Sequence, residues 1–212
     1  MQHSFAAALL AALALSAPAC CEEGLGVGPW RLGMSPEKIS SFAEHGPYSK
    51  VRVTGGLETE NGTFKGRKVN TSFVFDNGGL EYIQVWNYEG GDWQQAREAT
   101  LEVFDYFTEH YGGATISGVT LDGDGAIDRG GLQVVVERIL STAHELNEKA
   151  KKDKAIMTIT FDMVPVKQPK ESRLHCQWVY AGRFDQFFVF LFQDRPDAPS
   201  RNAPSTVQLE PL

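Results

Sequence analysis

A glycine-containing turn between two strand-like runs is the sequence feature that most narrows the fold of this chain. The runs cover residues 68–75 and 80–88, and Asp76-Asn77-Gly78-Gly79 separates them. An Asn-Gly pair readily takes the positive φ angles of the tight turns that join antiparallel strands. The sequence therefore predicts an antiparallel hairpin, around which the other segments must be arranged.

Helical and strand-like patterns outside the hairpin predict two similar halves. Four further strands are predicted at residues 50–54, 155–164, 173–180 and 184–193. Helices are predicted from the Ser35-Pro36 start, from the Asp92 cap to Tyr111, and over residues 132–150, where apolar side chains recur at helical spacing. The order indicates an α+β fold of two tandem units, each a helix plus a three-stranded antiparallel sheet, at residues 30–113 and 131–193.

The N-terminal segment has the pattern of a cleavable signal peptide over residues 1–19. An apolar run from Phe5 to Leu15 is followed by Ala17-Pro18-Ala19, the small-residue pattern that signal peptidases cut. Residues 20–29 would then form an N-terminal arm, and the proline-containing tail at 194–212 is predicted to be disordered. We expect an exported protein that is periplasmic, anchored in the outer membrane or secreted.

The three cysteines leave two questions open. Cys20 directly follows the predicted cleavage site, so it is a candidate for lipidation, and the choice between an anchored and a free protein stays open. Cys21 and Cys176 are then candidates for a disulfide, which persists in an oxidising compartment. The alternative for Cys176 is a small core residue that never forms a bridge.

Charge and motifs argue against several classes of function. The chain has 20 basic and 27 acidic residues, a balance that argues against binding nucleic acid or an anionic membrane, so a membrane contact is expected only through a lipid anchor. The segment 122–128 lacks the final glutamate of a calcium loop, and His144 lacks the second histidine of a zinc-protease helix. We predict no metal, no cofactor and no enzymatic activity.

Two short segments resemble a family of envelope lipoproteins. Leu32-Gly33-Met34-Ser35-Pro36-Glu37-Lys38-Ile39, followed by Gly46-Pro47, resembles the opening helix of the SmpA/OmlA small lipoproteins, and residues 71–80 are similar to that family's second signature. The similarity covers about residues 30–88. The related β-lactamase inhibitory protein is similar in doubling a helix-plus-sheet unit. The resemblance implies an exported protein that presents a sheet face or loops to another protein.

Aromatic side chains on the second hairpin strand are the candidate binding residues. Strand alternation over residues 80–88 places Tyr82, Gln84, Trp86 and Tyr88 on one face, and Ile83 and Val85 on the other. Trp178 and Tyr180 are expected to extend the aromatic face in the second half. Large aromatic side chains anchor many protein interfaces, but they are also common in cores, and the sequence leaves both interpretations open.

These observations predict a non-enzymatic, protein-binding module of the bacterial envelope. Its partner would be another envelope or secreted protein, with the chain acting as an inhibitor, an immunity factor or an assembly lipoprotein. Two alternatives remain, namely a sheet groove that binds a small or lipidic ligand, and a hydrolase whose site carries no familiar motif.

Overall fold

The computed structural model describes residues 25–52, 54–118, 126–153, 158–182 and 184–196, with the backbone alone described at 126, 127, 141, 142, 144 and 146. The strands are β1 Ser49–Lys50, β2 Leu57–Phe64, β3 Arg67–Asp76, β4 Gly79–Gly90, β5 Ala114–Ser117, β6 Ala126–Ile127, β7 Thr158–Pro165, β8 Arg173–Ala181 and β9 Gln186–Asp194. The helices are α1 Pro36–Ser40, α2 Trp93–Tyr111 and α3 Arg129–Asp153, with a short 3-10 turn at Ala43–His45.

All nine described strands belong to one antiparallel sheet, so the prediction of two tandem units is wrong. Their spatial order is β1-β2-β3-β4-β9-β8-β7-β5-β6. Strands β4 and β9 pair at the centre, from Tyr82 opposite Asp194 to Gly90 opposite Phe187. Two separate sheets would each leave the backbone groups of a long strand edge unpaired, and the β4–β9 pairing satisfies both edges at once.

The turn that was predicted between β3 and β4 is confirmed. Asp76 pairs with Gly79, and the two residues between them, Asn77 and Gly78, have φ angles of 50° and 81°. Positive φ at both central residues is the signature of a type I′ hairpin turn. The sequence thus places the hairpin of β3 and β4 correctly.

The predicted helix ends around residues 92 and 112 are also confirmed. The Asp92 carboxylate accepts hydrogen bonds from the backbone N–H groups of Gln94 and Gln95 at the start of α2. Gly112 follows the last residue of α2 with a φ of 77°, the left-handed geometry that glycine adopts without strain. The helix predicted at residues 132–150 lies inside α3, which begins at Arg129 and ends at Asp153.

The first helix is shorter than the sequence pattern indicates. Ser35 caps α1 by accepting a hydrogen bond from the Lys38 N–H, as expected, but the helix ends at Ser40. Gly46 follows the separate 3-10 turn and has a negative φ of −80°, so it is not the left-handed cap of α1. The apolar stripe of this segment is correspondingly reduced to Ile39, the one buried residue of α1.

One face of the sheet, called the covered face below, packs against the helices and against residues 25–30. Trp30 contacts Phe73 of β3, with 4.8 Å between ring centroids, and α2 packs on β4 and β9. Helix α3 packs on α2. The core lies between these layers, and its largest fully buried sheet residues are Phe64, Phe73, Leu80, Ile83, Phe161, Trp178, Tyr180 and Phe192, of which only Phe192 projects from the opposite face.

The opposite face, called the open face below, has no described helix packed against it. Its residues are the cross-strand partners that alternate with the covered ones, so Gln84, Phe192 and His175 form one row across β4, β9 and β8. Among the described residues, no helix is both long and apolar enough to span a membrane. The open face is therefore a sheet surface that the described helices leave uncovered.

Candidate binding surface on the open sheet face

A β-bulge in β4 decides which aromatic residues reach the open face. Trp86 pairs with Phe190 and Tyr88 pairs with Val189, which leaves Asn87 as the extra residue. A bulge interrupts the alternation of side chains along a strand. Asn87 points to α2, where its side-chain N–H donates to the Ala99 carbonyl at 3.0 Å.

The bulge also exchanges the roles of the next two residues. Tyr88 lies opposite the buried Val189 and packs against the core of the covered face. Its hydroxyl accepts a hydrogen bond from the Asp92 N–H at 3.0 Å. Glu89 lies opposite Phe188 and is exposed, so a carboxylate occupies the open-face position that simple alternation gives to an aromatic ring.

Six rings in mutual contact form the centre of the open face. We call this set the aromatic face, and it consists of Tyr82, Trp86, His175, Phe188, Phe190 and Phe192. The ring of Phe192 stacks between those of Tyr82 and His175, with centroid distances of 5.5 and 4.5 Å. Trp86 meets Phe190 edge-on at 4.9 Å. These are the offset and T-shaped arrangements that aromatic pairs prefer.

Burial within the aromatic face is graded. Phe190 and Phe192 are 6% and 1% exposed, although no described helix packs on them. Tyr82, Trp86 and Phe188 surround them and are each partly exposed. The two phenylalanines therefore form an apolar floor, and the outer rings contact this floor while staying partly exposed to solvent.

A cavity of about 490 Å³ lies beside Trp86 on this face. Its lining includes Trp86, Asn70, Ser72 and three exposed glutamates, Glu58, Glu60 and Glu89. Within the described part of the chain, none of the three carboxylates belongs to a salt bridge. The cavity thus combines an aromatic wall with three carboxylates that lie outside every described salt bridge.

Polar groups border the other side of the aromatic face. Arg173 and Asp194 form a two-point ion pair, with nitrogen–oxygen distances of 3.0 and 2.6 Å. His175 lies in the next row, where burial lowers its pKa, an effect that Arg173 strengthens and that Asp194 and Asp162 oppose. The neutral imidazole is the form that stacks on Phe192 with the smaller desolvation cost.

A second cavity, of about 550 Å³, lies between α2 and the sheet and has a different character. Its lining includes Arg67, which bonds to Glu102 and Asn87, and Arg129, which pairs with Asp105 at 3.0 Å. Most of its charges are already paired with one another. An apolar tail would have to displace these contacts, so the cavity does not favour a lipidic ligand.

The structure separates the five predicted binding residues into two groups. Tyr82 and Trp86 lie on the open face, as alternation predicts. Tyr88 faces the helices because of the bulge, and Trp178 and Tyr180 lie on the covered face, 0% and 1% exposed. Trp178 stacks on Phe161, with ring centroids 5.4 Å apart. We therefore leave Tyr88, Trp178 and Tyr180 out of the candidate surface.

The cysteine and metal predictions fall largely outside the described residues. Cys20 and Cys21 lie there, as do residues 122–125 of the rejected calcium loop. Cys176 is fully buried on the covered face of β8, and burial raises the pKa of its thiol. In the part of the chain that the structure describes, no group of three or more histidine, cysteine or carboxylate side chains is placed to hold a metal ion.

Sequence reasoning missed four members of the aromatic face, His175, Phe188, Phe190 and Phe192. The run Phe187-Phe188-Val189-Phe190-Leu191-Phe192 is apolar on both faces, so alternation gives no orientation. The uninterrupted apolar run was itself a usable signal. A strand that is apolar on both faces needs each face to be covered or to pack against neighbouring side chains.

The comparisons with known proteins give no relative: no protein-family model matches the chain, and no curated protein or solved structure matches it significantly. The resemblance to the SmpA/OmlA lipoproteins and to the β-lactamase inhibitory protein therefore stays a prediction.

Proposed function

We propose that this chain is an exported, non-enzymatic module of the bacterial envelope that binds another protein through the aromatic face. The observation that carries the proposal is the cluster of six rings on a sheet face against which no described helix packs. Export rests on the signal-peptide pattern of residues 1–19 alone.

The physical case for a protein partner rests on the composition and stiffness of this face. Tyrosine and tryptophan supply large contact areas with few rotatable bonds, so little entropy is lost when they become fixed. The rings project from β4, β8 and β9, the central strands of the sheet. A partner would therefore meet a surface that is already ordered, which lowers the cost of association.

The alternatives from the sequence receive less support. A lipidic ligand needs an apolar cavity, whereas both described cavities are lined by charged side chains. The paired charges of the cavity under α2 and the isolated glutamates beside Trp86 do not form a nucleophile, base and orienting group in hydrogen-bond contact. Protein binding through the aromatic face is therefore the better supported function.

Site-specific photocrosslinking in cells of the source organism tests the proposal. A photoreactive phenylalanine analogue at Gln84, in the middle of the aromatic face, should crosslink to a second protein. The same analogue at Val134, which is 64% exposed on α3, is the matched control. Equal crosslinking from both positions, or none from Gln84, would contradict the assignment of the face as the binding surface.

A further inference from the structure

The cavity beside Trp86 indicates what kind of partner the open face accepts. Building on the proposed protein-binding function, we infer that the partner inserts a lysine or arginine side chain into this cavity, with its aliphatic stem against Trp86 and its charge among Glu58, Glu60 and Glu89. The occupant is a basic side chain of another protein.

Strand register brings the three carboxylates to the rim of one cavity. Glu58 pairs with Ser72, which in turn pairs with Gln84, so Glu58 lies one row from Trp86. Asn70 lies between Trp86 and the bulged part of β2 that carries Glu60. Glu89 reaches the open face because of the bulge in β4. Residues distant along the chain thus concentrate negative charge around one indole ring.

None of these glutamates forms a salt bridge with another described residue. The lysine on the same face of β3, Lys68, donates its hydrogen bond to the Asn61 side-chain oxygen at 2.9 Å. The described salt bridges use carboxylates elsewhere, at Glu102, Asp105, Glu109, Glu148 and Asp194. Three like charges around one cavity repel one another, and an incoming cation relieves that repulsion.

The aromatic wall selects the form of the cation. The methylene stem of lysine or arginine packs on an indole face, and the charged group gains from the ring's negative face. The cavity volume of about 490 Å³ is ample for one such side chain. A free metal ion would gain nothing from contact with the indole. Among the described residues, no group of three or more histidine, cysteine or carboxylate side chains is placed to hold a metal ion.

A second copy of this chain is a poor occupant for the same surface. Two open faces meeting each other would bring six of these carboxylates together, and the whole chain has a net charge of −7. Like-charge contacts of this kind are unfavourable. The surface is instead complementary to a basic partner, and electrostatic attraction would also speed the encounter.

Selection from a random peptide library on the immobilised protein tests the inference without a known partner. Peptides that bind the wild type and lose binding to Trp86→Ala should contain lysine or arginine. Replacing the critical arginine by citrulline, which keeps the shape and removes the charge, should weaken a selected peptide about tenfold.

Two triple variants with equal charge change locate the effect. Glu58→Gln/Glu60→Gln/Glu89→Gln should weaken the arginine peptide about tenfold and abolish the difference between arginine and citrulline. Glu137→Gln/Glu145→Gln/Glu148→Gln, on exposed positions of α3, should leave the affinity unchanged. The glutamates of both sets are exposed, so unchanged melting temperatures verify that folding is intact.

The possible failures are distinguishable. Trp86-dependent peptides that carry no basic residue, or that tolerate citrulline, would overturn the cation inference and leave the proposed protein-binding function standing. If the two triple variants weaken peptide binding equally, the effect comes from the net charge of the protein and not from the cavity, and the cation inference is again overturned. If no peptide depends on Trp86, the inference and the binding role of the aromatic face both fail.

Discussion

The two faces of the same strand differ in what they demand of their side chains. On β4, Ile83 and Val85 are 1% and 0% exposed against the helix layer, while Tyr82 and Trp86 on the other side stay partly exposed. The covered face is a mixture of aliphatic and aromatic residues that fill the space beneath the helices. The open face concentrates rings and isolated charges, a composition that helix packing does not require.

This contrast separates residues that stabilise the fold from residues available for recognition. A covered-face residue is surrounded by atoms from two layers, so its loss leaves a cavity. An aromatic residue at the edge of the open face has neighbours on one side alone, so its loss removes contact without creating an enclosed void. The two faces should therefore respond differently to the same substitution.

Trp178→Ala should produce the largest loss of stability. Trp178 is 0% exposed between Phe161 and Phe187, so its removal leaves a large cavity and should cost about 3–5 kcal/mol of the free energy of unfolding. Urea denaturation followed by circular dichroism measures this change. A loss below about 1 kcal/mol would mean that the covered face is not a packed core.

Arg173→Gln should have an intermediate effect. The substitution removes a two-point ion pair and leaves Asp194, which is 5% exposed, with no guanidinium partner. Because a buried carboxylate then loses its charged donor, we expect a loss of about 1–3 kcal/mol. The same denaturation experiment measures it, and Lys167→Gln serves as the control, because Lys167 is exposed and forms no ion pair with the described residues. A loss equal to that of the control would contradict the prediction.

Trp86→Ala should cost less stability and more binding. Trp86 is partly exposed and meets Phe190 in one edge-on contact, so we expect a loss of about 1–2 kcal/mol of stability. Its effect on the crosslinked partner should be larger, since interface anchors contribute about 2 kcal/mol or more. Melts and affinity measurements on Trp86→Ala and Trp178→Ala together sharpen the comparison of faces. Equal destabilisation by the two variants would contradict the difference between the covered and the open face.

His175 should give the smallest effect, visible as a pH dependence. Its pKa is lowered in the folded state from the ordinary value of 6.5, so the unfolded chain takes up a proton at a higher pH than the folded one. Stability from this group is therefore fully present above about pH 7 and is lost as the pH falls through 6.5 toward the folded-state pKa. Comparison with His175→Gln isolates the contribution, because that variant should show a shallower decline. Identical pH profiles would refute it.

The sequence predicted those parts of the fold that depend on local chemistry. The hairpin at Asn77-Gly78 and the Asp92 cap follow from the backbone preferences and hydrogen bonds of a few neighbouring residues. Strand β2 escaped prediction because Asn61-Gly62 has the composition of a turn. In the structure a bulge between Thr59 and Gly62 carries the strand through that pair instead.

Local sequence patterns could not predict that the two halves form one sheet. Which strand of one meander meets which strand of the other depends on contacts between residues far apart in the chain, and β4 and β9 carry no local signal of their pairing. The candidate surface was predicted only in part for the same reason. Alternation placed Tyr82 and Trp86 correctly, but it failed at Tyr88, where the partner strand decides the register.

The central pairing of β4 with β9 also sets the order in which this protein can be completed. Strand β9 is the last described strand, and it lies between β4 and β8 at the middle of the sheet. A chain that emerges from a ribosome or a translocation channel with its N-terminus first must hold β4 with one edge unpaired until β9 arrives. Folding should consequently be slow and late, since long-range strand pairing closes a large loop, and fragments that end before Gln186 should aggregate through the unpaired edges.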